Sequence, residues 1–150
     1  MSHAPVRNVA HARRRARKSA VQALYQWLMA GQSPSEIDVQ FRDSQDMSRT
    51  DVAYFHELLH RIPERIEALE ESLEPLLDRP WPELDPVERA ILYIGAYELA
   101  HRPDIPFKVV IDEAVGLART FGAQESHRYV NGVLDQAARR LRPVETGRRS

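Results

Sequence analysis

Two histidines four residues apart come closest to a catalytic motif in this chain. The segment His56-Glu57-Leu58-Leu59-His60 fits the H-E-x-x-H pattern of zinc peptidases, in which two imidazoles bind one metal and the glutamate activates a water. Downstream glutamates such as Glu64 and Glu83 offer a third ligand, but no strand is predicted that could hold an extended peptide. We therefore expect an ordinary amphipathic helix, with no catalytic residue, metal ligand or cofactor. Zinc-dependent hydrolysis remains the alternative.

A cluster of cations near the N-terminus has the residue types for binding a polyanion. Six basic residues and no acidic one precede Glu36, and such cations repel one another unless a polyanion binds. On a helical wheel Arg14, Lys18 and Tyr25 fall on one flank of the apolar face, whereas Arg13 and Arg17 extend the apolar stripe. Guanidinium groups pair with phosphate oxygens, and a tyrosine ring can stack on an unpaired base. The pattern predicts contact with single-stranded nucleic acid through Arg13, Arg14, Arg15, Arg17, Lys18 and Tyr25.

A second, weaker candidate is the segment Ser126-His127-Arg128-Tyr129, which opens the last predicted helix. Unpaired amides at a helix N-terminus favour anions, and Arg128 and Tyr129 again combine a phosphate-binding group with a stacking ring. The alternative is that Tyr129 packs at the edge of the core, one helical turn before Val133.

Charge is distributed unevenly along the chain, although the net charge is only −1. Residues 1–35 carry a net charge of +6, residues 36–113 combine 8 basic with 19 acidic residues for −11, and residues 114–150 carry +4. A chain polarised in this way is expected to present a cationic surface to a polyanion and an acidic surface to a basic protein.

Composition excludes several classes of protein. The absence of cysteine removes disulfides, thiolate metal sites and cysteine nucleophiles, and suits a reducing cytoplasm. No segment approaches the run of about 18 apolar residues that spans a bilayer. An arginine-rich, acid-free N-terminus is also typical of organellar transit peptides, but the apolar stripe continues without a cleavage signal into Leu24, Trp27 and Leu28.

Hydrophobic periodicity predicts an all-α fold, a compact seven-helix bundle in a single domain. The first helix runs from about His11 to Ala30, before Gly31 stops it, and serine and aspartate caps followed by proline open the second and fifth. Pro63 separates the third from the fourth helix, where we expect a kink or a tight turn rather than a domain boundary. The helical domain covers residues 11–142, between a flexible arm (1–10) and a flexible tail (143–150).

Several segments, taken in order, resemble the NusB family of transcription antitermination factors. They are Ala12-Arg13-Arg14-Arg15-Ala16-Arg17, Ala20-Val21-Gln22-Ala23-Leu24-Tyr25-Gln26-Trp27, Val87-Glu88-Arg89-Ala90-Ile91-Leu92, Tyr97-Glu98-Leu99, Pro106-Phe107-Lys108-Val109-Val110-Ile111-Asp112-Glu113-Ala114, Phe121-Gly122-Ala123 and Val130-Asn131-Gly132-Val133-Leu134-Asp135. Together they span about residues 12–142, which makes the resemblance far more specific than any single motif.

The resemblance implies a cytoplasmic, non-enzymatic factor that binds the boxA element of ribosomal RNA leaders together with the ribosomal protein NusE and joins the transcribing RNA polymerase complex. It implies RNA contacts by Arg14, Arg17 and Tyr25 and by Glu125, Arg128 and Tyr129, and NusE contact around Glu88. Self-association into a homodimer stays open. A standalone ribosomal RNA maturation factor with the same fold is the alternative role.

Overall fold

The computed structural model describes residues 6–147 of the chain, with residues 6 and 7 described by their backbone alone. The described residues form seven α-helices and two short 3-10 helices, Glu74–Leu76 and Trp81–Glu83, without a strand. The α-helices are α1 (Val6–Ala30), α2 (Pro34–Ser44), α3 (Val52–Glu64), α4 (Ile66–Leu73), α5 (Pro86–His101), α6 (Phe107–Phe121) and α7 (Ser126–Leu141). The predicted all-α fold with seven helices is confirmed. Within the described residues, no helix is both long and apolar enough to cross a membrane.

Contacts divide the chain into two compact units, Met1–Glu64 and Arg65–Ser150. The division falls after Glu64, one residue beyond Pro63, which lies within the last turn of α3. A kink or a tight turn rather than a domain boundary is expected at this proline, because the apolar spacing continues from α3 into α4. The apolar spacing is therefore continuous across these two helices, although they belong to different units.

The first unit contains α1, α2 and α3, and all three helices pack against one another. Its fully buried side chains include Leu24, Ile37 and Phe55, one from each helix. Ser33 begins α2 as predicted, because its Oγ accepts the N–H of Glu36 at 3.2 Å and Pro34 follows it. Helix α1 ends where Gly31 adopts a φ of 69°, a conformation that favours glycine.

Helix α1 starts earlier than its predicted start at His11, because the helical backbone already begins at Val6. Part of the predicted N-terminal arm is therefore helical, and residues 1–5 of that arm lie outside the described residues. This extension adds more than one turn to the helix that carries the basic cluster.

In the second unit, α5 packs against α4, α6 and α7, and its residues from Ala90 to Leu99 are all buried. The Oδ1 of Asp85 accepts the N–H of Val87 at 2.8 Å, which confirms the predicted cap at the start of α5. Gly95 lies so close to Leu134 of α7 that an added Cβ would come within 2.6 Å of its Cδ1. This close approach brings α5 and α7 into direct contact.

The segment after α7 is built around Arg142, whose buried guanidinium donates to the backbone carbonyls of Leu99, Ile105, Glu98 and Arg102. It also pairs with Glu145, and the Oε2 of Glu145 accepts the N–H of Phe107 at 2.7 Å, at the start of α6. Residues 143–150 are expected to form a flexible tail, yet Glu145 makes these defined contacts. The last three residues, 148–150, lie outside the described residues.

Candidate nucleic-acid interface

One face of α1 carries exposed polar and cationic side chains along about four turns. Six side chains form this face: at 100° per residue they fall within an arc of about 100°, and they extend over about 21 Å of helix. All six are exposed, and α1 itself contains no acidic residue. We call this face the α1 stripe: His11, Arg14, Arg15, Lys18, Gln22 and Tyr25.

Arg13 and Arg17 lie off this stripe, on the side of α1 that packs against α3. The guanidinium of Arg13 lies 5.1 Å and that of Arg17 5.6 Å from the ring centre of the buried Tyr54, as in cation–π pairs. Arg17 is only 3% exposed. The expected phosphate contact by Arg17 needs correction, because a guanidinium packed against a buried ring is not presented to a polyanion. The core therefore extends further around α1 than the helical wheel suggested.

The N-terminal half of α1 also lines a cavity of about 580 Å³. Arg15 lines it from the helix and Arg49 from the loop before α3, together with polar groups that include Asn8 and Thr50. The acidic residue beside these arginines is Asp46. Hydrogen bonds from Ser48, followed by the charges of Arg49 and Arg15, hold the pKa of Asp46 below its usual value. The cavity is therefore lined by cations, with the carboxylate of Asp46 close to both arginines.

At the start of α7, in the second unit, Arg128 already has an acidic partner. Its Nε lies 3.2 Å from the Oε2 of Glu125, and the two side chains are 78% and 68% exposed. An exposed ion pair of this kind contributes little to stability and can be opened by a competing anion. Glu125 and Arg128, both predicted as site residues, thus form an ion pair with each other.

Tyr129 is partly buried, and its hydroxyl contacts the segment that follows the 3-10 helix Glu74–Leu76. Its hydroxyl accepts the backbone N–H of Asp78 at 3.2 Å, and Arg79 forks onto both carboxylate oxygens of Asp78 at 3.0 and 3.3 Å. Burial raises the pKa of Tyr129 above its usual value. The hydroxyl of Tyr129 thus makes a structural contact, while part of the residue is exposed, and its contact with RNA stays a prediction.

Glu88, the predicted partner contact, is partly buried in the first turn of α5. Its Oε2 accepts the hydroxyl of the buried Ser126 at 2.7 Å, which joins the start of α5 to the start of α7. Exposed acidic residues lie close by in the sequence at Glu83 and Asp85. The carboxylate of Glu88 is therefore held in place at the edge of an acidic stretch.

Residues that sequence reasoning missed fall into two kinds. His11 and Gln22 could have been found, because they lie one helical turn from Arg14 or Arg15 and from Lys18 on the same arc. Arg49 gives no such signal, since it lies in a loop of mixed charge and reaches Arg15 only through the fold.

Comparison with known proteins places these features in a family. The sequence profile of the NusB family matches residues 14–139. The transcription antitermination protein NusB of Legionella pneumophila is 53% identical over 133 residues, covering 89% of this chain and 90% of the relative. That of Idiomarina loihiensis is 54% identical over 133 residues, covering 89% and 96%. A solved structure of NusB from T. maritima superposes with a TM-score of 0.71 at 27% identity, covering 84% of this chain and 89% of that one.

Proposed function

The chain belongs to the NusB family, and from that premise we propose that it is a transcription antitermination factor that binds boxA-type RNA of ribosomal RNA leaders together with the ribosomal protein NusE. The observation that carries the RNA-binding part is the α1 stripe. It brings exposed cations and an exposed tyrosine onto one face of a helix that has no carboxylate of its own. A face of this kind suits a flexible, unpaired strand, because it supplies both charge and a stacking ring.

Within the stripe, Arg14, Arg15 and Lys18 neutralise phosphates, and the ring of Tyr25 stacks on a base. The tyrosine is 41% exposed, so that a large part of its surface is open to a ligand. The stripe is about 21 Å long, several times the spacing of successive phosphates. Arg13 and Arg17 act indirectly, because their packing on Tyr54 fixes how α1 lies on α3.

The start of α7 supplies a second contact to RNA through Arg128, Glu125 and Tyr129. Arg128 is the most exposed of the three, and its exposed pairing with Glu125 can be exchanged for a phosphate. Glu125 accepts hydrogen bonds and can read base edges that donate them. These three residues orient the bound RNA, whereas the α1 stripe provides most of the affinity.

NusE docks on the acidic stretch around Glu88. The −11 charge of residues 36–113 favours a basic partner, and the hydrogen bond from Ser126 holds the Glu88 carboxylate in one position. The complex then joins the transcribing RNA polymerase in the cytoplasm. No step of this role requires the chain to catalyse a reaction.

The test is a gel-shift titration of the full chain with boxA-like RNA and with a scrambled RNA of the same composition, each with and without the cognate NusE. The proposal predicts tighter binding to the boxA-like RNA and a further gain when NusE is present. Equal affinity for both RNAs in the presence of NusE would contradict it. A preference for boxA that NusE does not change would favour the standalone maturation factor instead.

The acidic contact is tested by Glu88→Gln, which keeps an acceptor for Ser126 but removes the charge. Binding of NusE is expected to weaken, with a smaller dependence on salt, because a charge contact between the two proteins is lost. Asp112→Asn, an exposed carboxylate on α6, serves as the control. An equal effect of the two variants would remove Glu88 from the proposed interface.

A further inference from the structure

The histidine pair of α3 meets a buried carboxylate of α2. The Nδ1 of His56 lies 2.6 Å and the Nε2 of His60 2.8 Å from the same Oδ2 of Asp38, and the two rings face each other with centres 4.0 Å apart. One ligand atom from each of these residues lies within 4.8 Å of the others. We propose that Asp38, His56 and His60 form a binding site for a divalent transition-metal ion such as Zn²⁺.

The donor set suits such an ion. Two imidazole nitrogens and one carboxylate oxygen are the protein ligands of several three-ligand zinc sites, which leave a fourth position to water. Imidazole donors also suit Cu²⁺, Ni²⁺ and Co²⁺, whereas Mg²⁺ and Ca²⁺ prefer oxygen ligands alone. The site should therefore select a transition metal over the abundant alkaline-earth ions.

The geometry needs only a small change to admit the ion. With metal–ligand bonds of about 2.0–2.2 Å, ligand atoms in a tetrahedral arrangement lie roughly 3.3 Å apart, so the ring of His56 must withdraw from Asp38 by about 0.7 Å and that of His60 by about 0.5 Å. A ring nitrogen that donates a hydrogen bond to Oδ2 carries a proton, and on metal binding that proton must move to the other nitrogen of the same ring or to solvent. His56 is 57% and His60 23% exposed, which gives the ion a path from solvent and His56 room to move.

Asp38 is held in place for this role. It is 2% exposed, and its other oxygen, Oδ1, forms an ion pair with Nε of Arg42 at 2.9 Å but accepts no hydrogen bond. Burial raises the pKa of Asp38, but hydrogen bonds from His60 and His56 and the charge of Arg42 outweigh this and lower the pKa below its usual value. A carboxylate that stays ionised is the form that binds a metal.

The third ligand distinguishes this site from that of a peptidase. The sequence offers downstream glutamates as a third ligand, whereas in the structure the third ligand comes from upstream, from Asp38 of α2. Glu57 is not part of the convergent group in the described residues. The site therefore holds a metal and joins α2 to α3, without a catalytic role.

The experiment is isothermal titration of the full chain, stripped with chelator, with ZnCl₂ alone and with MgCl₂ as the control ion. One equivalent of Zn²⁺ is expected to bind and to raise the thermal unfolding midpoint, with no saturable binding of Mg²⁺. His56→Gln and His60→Gln should each weaken Zn²⁺ binding by more than the roughly 10–100-fold that accompanies loss of an outer-shell partner. His101→Gln, at an exposed histidine of α5, is the matched control and should bind as the unmodified chain does.

A second measurement on the unmodified chain does not depend on the variants folding. Imidazole nitrogen NMR signals should shift on Zn²⁺ addition at Nδ1 of His56 and Nε2 of His60. Absence of saturable Zn²⁺ binding, or binding that shifts the nitrogens of other histidines instead, would overturn the proposal. Such a result would leave the group as a hydrogen-bonded tether between α2 and α3.

Discussion

The α1 stripe and the start of α7 combine the same residue types, an arginine and a tyrosine, in different states of engagement. In the stripe, Tyr25 is exposed and the helix provides no carboxylate for its cations. At the start of α7, Arg128 is paired with Glu125, and the hydroxyl of Tyr129 is hydrogen-bonded to the backbone of Asp78. The same residue types thus differ in their local contacts: the ring of Tyr25 is exposed, whereas Arg128 and Tyr129 make a defined ion pair and a defined hydrogen bond.

We expect the α1 stripe and the start of α7 to contribute differently to the free energy of RNA binding. On the proposed function, RNA at the stripe would contact three exposed cations, Arg14, Arg15 and Lys18, and would release their counterions. RNA at the start of α7 would contact the single arginine Arg128 and would replace its ion pair with Glu125. We expect the stripe to supply most of the affinity.

The largest expected effect is on the free energy of unfolding, and it differs between Arg17 and Arg128. Arg17→Ala should lower the free energy of unfolding by about 2–4 kcal/mol, because it removes a buried side chain packed on Tyr54. Arg128→Ala should change it by at most about 0.5 kcal/mol, since an exposed ion pair contributes little. Urea denaturation of both variants measures this. Comparable stability for the two would show that Arg17 is not part of the packed interface of α1.

A smaller effect is expected for the exposed tyrosine. Tyr25→Ala should weaken RNA binding by about 1–3 kcal/mol, the usual contribution of a stacked base, and Tyr25→Phe should retain the affinity because the ring remains. Fluorescence anisotropy with labelled boxA-like RNA measures both. If the phenylalanine variant lost as much as the alanine variant, the hydroxyl rather than the ring would be the contact.

The smallest effect concerns Tyr129. Tyr129→Phe removes the hydrogen bond to Asp78 and should cost about 0.5–1.5 kcal/mol of stability. The folded-state pKa of Tyr129 is raised, so the contribution of its protonated form is present below pH 10 and is lost as the pH rises through the folded-state pKa. The stability difference between the two proteins should therefore shrink above pH 10.

Urea denaturation at a series of alkaline pH values tests this dependence. Tyr93, whose pKa burial also raises, is present in both proteins, so its titration cancels in the comparison. A difference between the proteins that stays constant with pH would show that burial in the folded state does not disfavour the ionised hydroxyl of Tyr129.

The fold was largely predictable because its signals are local. Ser33 and Asp85 cap their helices through side-chain contacts two or three residues away, and Gly31 ends α1 by its own conformation. The apolar body of α5 predicted its burial in the same way. Each of these depends on a few neighbouring residues that the sequence places next to one another.

The site was less predictable because its details depend on contacts between distant residues. Burial of Arg17 requires Tyr54 of α3, and the structural contact of Tyr129 requires Asp78, 51 residues away. The meeting of His56 with Asp38 likewise depends on how α2 packs on α3. Helical periodicity gives the direction of each side chain but not the residue that it meets.

The most direct test of the α1 stripe is the dependence of RNA affinity on salt. For a single strand, the slope of log affinity against log salt is about −0.7 per neutralised phosphate, so Arg14→Ala with Lys18→Ala should reduce its magnitude by about 1.4. Lys108→Ala with Arg119→Ala removes the same two charge types from exposed positions of α6 and should leave the slope unchanged. An unchanged slope for the Arg14 and Lys18 variant, or an equal loss in both variants, would contradict the assignment of the stripe as the RNA-binding surface.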